Sequence, residues 1–237
     1  MLRDAGADPI LLPAIEIEPI ELDAASRVAL TPDDFDWTVY TSANAVEHSL
    51  RQLPRPARTR VAAIGRATAR ALDEQGIGVD AVPQAASDSE GLLALGPFAD
   101  LRGQRILIVK GVGGRALLRA ELARRGAEVV SCEVYRRRPA AADPAALEAL
   151  HEASGRTRLI VAVTSGEVLG ALLEAAPDGR LPKLRDATLL VPGDRVAASA
   201  RSLGWRGPLI AATSAEDSVM FAALARHLGR AGPSGGA

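Results

Sequence analysis

The segment LARRGAEVVSCEVYRRRP, at positions 122–139, has the same pattern as LRDAGADPILLPAIEIEP, at positions 2–19. At an offset of 120 positions Gly6 falls on Gly126 and Pro19 falls on Pro139. Each copy predicts a helix that ends at glycine, which tolerates a left-handed cap, followed by a strand and an extended run closed by proline. We predict that the two extended runs lie side by side as a two-strand β-ladder.

Two further pairs of segments are similar, which indicates an internal duplication of the whole chain. VAAIGRATARALDEQGI at positions 61–77 matches LLVPGDRVAASARSLGW at positions 189–205, with glycines and alanines in common. DWTVYTSANAVEHSL at positions 36–50 matches LIVAVTSGEVLGALL at positions 159–173 through a shared Thr-Ser pair. The three offsets are 120, 128 and 123, so only small loop insertions separate the copies.

Short β-rich runs alternate with helical patterns along the chain, which is typical of α/β proteins with parallel sheets. The repeats predict two such lobes, one formed by residues 1–17 and 141–237 and the other by residues 18–140. The second copy begins with the strand RILIV and the turn KGVGGR at positions 105–115. Their equivalents in the first copy would precede residue 1, so we expect the opening strand of the first lobe to be missing.

Composition excludes several classes of function. The chain has 237 residues, 48% of them hydrophobic, which is enough for sizeable cores. A net charge of -1 gives no field that would attract nucleic acid or a membrane surface. No apolar run approaches the roughly 20 residues needed to span a bilayer. Cys132 has no second cysteine to pair with, and the three histidines lack ligand spacing, so we expect no disulfide and no metal. We expect a cytoplasmic protein without nucleic-acid or membrane partners.

The candidate binding residues lie where a predicted strand ends and a helix begins, which is where open α/β sheets bind ligands. These segments are Thr41–Ser42 and positions 65–68, 110–115, 164–166 and 193–195. Free backbone N–H groups, helix dipoles, small hydroxyls and arginines there favour anions. Alternatively, Ser and Thr only cap helices and Gly only fits turns. Recurrence in both halves favours a multiply anionic ligand held between the lobes, and no P-loop or GxGxxG motif is present.

The ordered motifs LPAIEIEPI, DWTVYTSANAV, VAAIGRATARAL, KGVGGRALLRAELARRGAEV, EVYRR and VTSGEV together resemble the uroporphyrinogen-III synthase family. The resemblance runs from position 2 to about position 228. It implies two flavodoxin-like lobes joined by a two-strand ladder, and an enzyme that needs no cofactor. The implied substrate is hydroxymethylbilane, a linear tetrapyrrole rimmed with carboxylates, which is cyclised with loss of water and inversion of ring D. The balanced surface charge gives no hint of a large interface, so we expect a monomer.

The resemblance also implies roles for individual residues. Tyr135 in EVYRR corresponds to the tyrosine that is the family's proposed proton donor to the leaving hydroxyl; the alternative is a phenol that only packs against the facing strand. Residues expected to hold substrate carboxylates are Thr41, Ser42, Thr68, Thr164 and Ser165 through their hydroxyls, and Arg66, Lys110, Arg115 and Arg195 through their charges. Tyr40 is better interpreted as core. Two departures predict weakened activity: Val196 replaces a family threonine, and the usual opening strand with its Thr-Arg-Pro turn is absent.

Two other functions stay open at this point. One is a non-catalytic flavodoxin-like module that binds an anion or a flavin at the Thr-Ser loops. The chain has only 3 Phe, 2 Trp and 2 Tyr, which disfavours stacking of a flavin. The other is an inactive synthase homologue that binds tetrapyrroles without turnover. Supplying hydroxymethylbilane and separating the type I and type III products distinguishes both from an enzyme.

Overall fold

A computed structural model describes residues 1–84, 89–113, 116–141, 143–156, 159–175 and 183–230. The chain forms an α/β fold built on parallel sheets, as predicted. The strands are β1 (Ile15–Pro19), β2 (Trp37–Tyr40), β3 (Arg60–Ala63), β4 (Arg105–Gly111), β5 (Glu128–Pro139), β6 (Ile160–Ala162), β7 (Thr188–Pro192) and β8 (Leu209–Ala212). The helices are α1 (Ala24–Ala29), α2 (Ala43–Leu50), α3 (Arg66–Glu74), α4 (Ser89–Leu93), α5 (Leu117–Arg124), α6 (Pro144–Arg156), α7 (Gly166–Ala175), α8 (Asp194–Ser202) and α9 (Asp217–Arg230).

The chain divides into two compact units. Unit 1 consists of Met1–Glu16 and Pro139–Ala237, and unit 2 consists of Ile17–Arg138. One sheet has the strand order β1-β5-β4-β2-β3, and a three-stranded sheet in unit 1 has the order β6-β7-β8. No helix in the described part of the chain has the length and hydropathy needed to cross a membrane.

The order in which the chain adds strands to the sheet of unit 2 reverses at β2. This strand pairs in parallel with both β3 and β4, so that Tyr40 lies between Ala63 and Val109. The chain proceeds from β2 to β3 on one side, and then to β4 and its parallel neighbour β5 on the other. The carboxyl ends of β2 and β4 therefore flank a topological switch point, which is the usual place for a ligand in an open α/β sheet.

The extended runs that end the segments at positions 2–19 and 122–139 pair with each other. The Ile20 N–H donates to the Val134 carbonyl, and the Ala140 N–H donates to the Ala14 carbonyl, each at 3.0 Å. A later residue of the first run thus bonds to an earlier residue of the second, which is the antiparallel sense. The structure therefore contains the two-strand pairing that the repeat predicted.

Both faces of the unit 2 sheet are buried, as expected for parallel strands that read as continuous apolar runs. One face packs against α2 and α3 in a core that includes Tyr40, Val109 and Tyr135. The other face packs against α5 in a core that includes Trp37 and Ile108. Because the faces alternate along each strand, the core that holds a residue also identifies its side of the sheet.

The predicted glycine caps are confirmed in both copies of the repeat. Gly6 and Gly126 have left-handed φ angles of 78° and 95°. At each, the glycine N–H and the next N–H bond back to the preceding turn, as in a Schellman motif. The β-rich run VDAVP at positions 79–83 predicts a further short strand, and this prediction is wrong, since a single bridge from Ala81 to Ala62 forms there.

That segment fails to extend as a strand for two reasons. The Asp80 carboxylate accepts a 2.7 Å hydrogen bond from the Val61 N–H, which is therefore not donated to a carbonyl of residues 79–83. Pro83 has no N–H to contribute to a ladder.

Candidate active site

The first component of the site is the junction between β2 and α2. The Ser42 Oγ accepts a 3.0 Å hydrogen bond from the Ala45 N–H and so caps α2. Thr41 is half-buried, and its Oγ1 donates to the Val109 carbonyl at 3.2 Å, which ties the end of β2 to β4. The N–H groups of Ala43 and Asn44 come before the helix's own hydrogen-bond ladder begins. This junction therefore offers backbone donors and a helix dipole to an anion.

The second component is Tyr135, whose side chain is 2% exposed. The register between β4 and β5 shifts between Lys110 and Gly111, and the shift places Tyr135 opposite Gly111. A Cβ atom at Gly111 would lie 2.5 Å from Tyr135 Cζ, closer than atoms approach in proteins. The tyrosine ring thus occupies space that exists only because residue 111 has no side chain.

The Tyr135 hydroxyl lies between two polar side chains at the carboxyl edge of the sheet. Its Oη is 3.0 Å from Ser42 Oγ, and either hydroxyl is able to donate. The Arg137 Nη2 donates to the same Oη, also at 3.0 Å. Tyr135 and Arg137 belong to β5, and Ser42 follows β2 as the cap of α2. The phenol therefore links the ends of β5 and β2, the two strands on either side of β4. Of the predicted residues, Ser42 and Tyr135 are the pair that the structure brings into contact.

Neighbouring titratable groups are buried. His48 is 7% exposed, with its ring centre 5.9 Å from that of Tyr135, and the described part of the chain offers its Nδ1 no hydrogen-bond partner. Burial raises the pKa of Tyr40 to about 12 and that of the Cys132 thiol to about 11. Tyr40 is core, as predicted, and Cys132 is a protonated, inert thiol near neutral pH.

The other predicted residues of unit 2 are not gathered around Tyr135. Thr68 is 4% exposed on the buried face of α3, which differs from the expectation of a hydroxyl facing an open cleft. Arg66 is exposed and donates to the Gln84 carbonyl at 3.1 Å. The Lys110 ammonium is 3.7 Å from Glu133, and alternation along β4 puts Lys110 on the opposite face from Val109. Arg115 lies outside the described residues.

The predicted residues of unit 1 also lie at the carboxyl ends of parallel strands. Thr164 is exposed after β6, and the Ser165 Oγ accepts from the Val168 N–H at 3.1 Å, as Ser42 does at α2. Arg195 is exposed in the first turn of α8, after β7. Val196 is 7% exposed and joins the apolar core of unit 1.

Three residues of the site were not predicted as such. The sequence motifs place Gly111 in the turn after RILIV and Arg137 in EVYRR without a role, and His48 only lacks ligand spacing. Alternation along β5 would have assigned Arg137 to the face of Tyr135. The contacts of Gly111 and His48 depend on the register of distant strands and carry no local sequence signal.

A metal site and a second cavity are the alternatives to the switch point. Within the described ranges, no group of His, Cys, Asp and Glu could hold a metal ion. A pocket of about 540 Å³ lies near the amino end of β5 and is lined by residues that include Arg124 and Arg125. Arg124 pairs with Glu121 at 2.8 Å, and Arg125 donates to the carbonyls of Leu93 and Phe98. Both cations are engaged within the protein, so the switch point is the better candidate.

Comparison with known proteins identifies relatives over most of the chain. A family model described as uroporphyrinogen-III synthase HemD matches residues 1–220. The uroporphyrinogen-III synthase of Salmonella typhimurium is 38% identical over 206 residues, covering 84% of this chain and 82% of the relative. The uroporphyrinogen-III synthase of Escherichia coli is 35% identical over 228 residues, covering 93% and 92%.

Two solved structures share the fold. A mutant uroporphyrinogen III synthase from Thermus thermophilus has 24% sequence identity and a TM-score of 0.61, with 97% of this chain and 91% of that chain covered. The uroporphyrinogen-III synthetase of Helicobacter pylori has 18% identity and a TM-score of 0.65, with 91% of each chain covered. At these identities the likeness concerns the mixed α/β fold alone.

Proposed function

Because this chain belongs to the uroporphyrinogen-III synthase family, we propose that it converts hydroxymethylbilane into uroporphyrinogen III, and so acts as a cyclising hydro-lyase in tetrapyrrole biosynthesis. The observation that carries the proposal within the molecule is the Tyr135 hydroxyl, held between Ser42 and Arg137 at the switch point of a parallel sheet. No cofactor takes part in the proposed reaction.

The reaction sets two requirements for the protein. Loss of the terminal hydroxyl as water leaves an electrophilic azafulvene on ring A, and unassisted closure onto the nearest carbon of ring D gives the type I isomer. The type III isomer requires attack by the substituted carbon of ring D, through a spiro intermediate. The enzyme must therefore help the hydroxyl leave and hold the two ends of the substrate in position. Positioning makes the larger contribution to the rate.

Tyr135 is the proposed proton donor to the leaving hydroxyl. It occupies the carboxyl edge of the sheet, and its oxygen is fixed by two hydrogen bonds of 3.0 Å. Tyr40, the other tyrosine of the chain, is a weaker candidate because burial raises its pKa to about 12. The alternative role for Tyr135 is packing alone, against Gly111.

Backbone donors are the proposed ligands for the substrate carboxylates. The hydrogen of the Thr41 hydroxyl already bonds to Val109, and Ser42 Oγ already caps α2, so both side chains have existing partners. The N–H groups of Ala43 and Asn44, together with the helix dipole, are the more available donors at this edge. Thr164, Ser165 and Arg195 are proposed to supply further carboxylate contacts from unit 1.

Turnover of hydroxymethylbilane tests the function. The products are oxidised to porphyrins, and the type I and type III isomers are separated by chromatography. We expect the wild-type protein to form the type III isomer faster than the spontaneous reaction forms type I. A protein that binds hydroxymethylbilane yet yields only the spontaneous type I isomer would be a binding module or an inactive homologue.

Tyr135→Phe tests the role of the phenol, and Tyr40→Phe is the matched control. Loss of a general acid lowers kcat by about 10²- to 10⁴-fold, so we expect a decrease of that size in Tyr135→Phe. Tyr40→Phe removes a hydroxyl with no proposed role in the reaction and should leave kcat unaltered. Equal rates for wild type and Tyr135→Phe would leave Tyr135 with packing as its role.

The proposed architecture is that of two related flavodoxin-like lobes, corresponding to the two units and derived from one ancestral repeat. Serine caps at Ser42 and Ser165 support this, since each accepts from the N–H three residues on. Matching hydrogen bonds close the helices at Gly76 and Gly204. A superposition of residues 37–77 on residues 160–205 tests it, since unmatched strands would contradict a duplication. A cytoplasmic location and a monomeric state stay predictions.

A further inference from the structure

Three consecutive arginines near the end of β5 are divided between the two sides of the strand. The Nε atoms of Arg136 and Arg138 lie 2.9 and 2.5 Å from the Glu18 carboxylate. Arg137, between them, points to the side of Tyr135, with its Cζ 5.3 Å from the ring centre and its Nη2 3.0 Å from Oη. Alternation along the strand therefore separates one arginine at the candidate site from two that pair with β1.

The donors and acceptors around the phenol oxygen can be assigned from chemistry. A guanidinium is only a donor, so Arg137 gives an N–H to Tyr135 Oη. The Ser42 Oγ accepts from the Ala45 N–H, but its own hydrogen rotates freely and is able to point at Tyr135. If Tyr135 loses its proton, its oxygen becomes an acceptor only, and both neighbours are then able to donate to it.

We propose that Arg137 and Ser42 form a donor pair that stabilises the phenolate of Tyr135 after it has protonated the leaving hydroxyl. The inference rests on the proposed function. In this step the substrate C–O bond breaks with its electron pair going to oxygen, the phenolic proton completes the departing water, and ring A is left as an azafulvenium cation. The phenolate is held by one N–H and one O–H until the proton released by ring closure returns to it. Arg137 is thus a positioning residue that acts through Tyr135.

Burial makes this pair effective. Tyr135 is 2% exposed, so little water is available to solvate a negative oxygen there. Charge-assisted hydrogen bonds are short and about twice as strong as neutral ones, and preorganised donors stabilise charge without having to reorient. An arginine that bound a substrate carboxylate directly would instead mainly affect the affinity for substrate.

Arg137→Gln is the test, with Arg136→Gln as its matched control on the opposite face, where Glu18 keeps Arg138 as a partner. We expect Arg137→Gln to lower kcat for type III formation by about 10- to 100-fold with little change in KM, the effect of losing a hydrogen bond to a charged group. Arg137→Lys keeps the charge and donors and should recover part of the loss. Arg136→Gln should behave as wild type.

The double mutant separates action through Tyr135 from other roles. In a Tyr135→Phe background, Arg137→Gln should change kcat by less than twofold, because there is no phenolate left to stabilise. Ser42→Gly, which removes the hydroxyl at little cost to the helix cap, should be equally silent in that background.

Three outcomes overturn the inference. They are a raised KM with unchanged kcat in Arg137→Gln, an equal loss in both backgrounds, and no gain from lysine over glutamine. Failure of the proposed function is recognised separately, because the wild-type protein would then form no type III isomer.

Discussion

Gly111→Ala is the substitution for which the structure gives the most specific expectation. The added Cβ would lie 2.5 Å from Tyr135 Cζ, 2.7 Å from Cε2 and 2.9 Å from Oη. Carbon atoms in contact are ordinarily about 3.5 to 4.0 Å apart, so the ring must move by about 1 Å. The Oη contacts with Ser42 and Arg137, both 3.0 Å, would lengthen beyond hydrogen-bonding distance.

Two effects of this change are expected. Overpacking of a buried position costs about 1 to 3 kcal/mol in the free energy of unfolding. A displacement of about 1 Å in a proton donor lowers kcat by about 10²-fold. The free energy is measured by urea unfolding followed by circular dichroism, and kcat is measured by chromatographic separation of the porphyrin isomers.

Gly78→Ala is the control for this substitution. It adds the same methyl group in unit 2, where no atom lies within 4 Å and the backbone is not left-handed. Its stability should change by less than about 1 kcal/mol and its kcat should be unaffected. Wild-type stability and kcat in Gly111→Ala would refute the reasoning that residue 111 must be glycine to admit the Tyr135 ring.

Three other predictions concern stability and reactivity. Backbone N–H groups of Arg58 and its two neighbours lower the pKa of Asp33, so its stabilising contribution is complete above the ordinary value of 3.8 and is lost as pH falls further. Asp33→Asn should therefore flatten the decline of unfolding free energy below about pH 4, and an unchanged slope would contradict this. Because burial raises the pKa of Cys132 to about 11, iodoacetamide at pH 8 should label it only after unfolding, and rapid labelling of the native protein would disprove its burial. Ser165→Ala removes the hydroxyl that accepts from the Val168 N–H and caps α7, and should lower the free energy of unfolding by about 1 kcal/mol, as measured in urea. Ser165→Asp supplies another acceptor for the cap and should restore the stability.

The parallel-sheet fold could be predicted because its determinants are local. Alternating β-rich and helical runs indicate α/β topology, and Gly6 and Gly126 mark helix ends since other residues rarely adopt their φ angles. Ser42 was assigned to a strand-to-helix junction, and the structure has it there as the cap of α2. In each case a few adjacent residues determine the conformation.

The environment of the phenol could not be predicted in the same way. The contact between Gly111 and Tyr135 depends on a register shift between β4 and β5, which short-range patterns do not encode. Thr68 was expected to hold a substrate carboxylate, but it shares a helix face with Leu72, and the packing of that face buries the residue. Tertiary packing, rather than residue type, decides which hydroxyls of such a site reach a ligand.

The division of the chain into units has a consequence for its biosynthesis. Unit 2 is one continuous segment, Ile17–Arg138, so all of its strands have left the ribosome before most of unit 1 has been translated. Met1–Glu16 emerges before unit 2 yet belongs with Pro139–Ala237, and must wait for that later segment. Domains generally fold as soon as they are complete during translation, so we expect the sheet bearing Tyr135 to form while the leading residues are still without their partners.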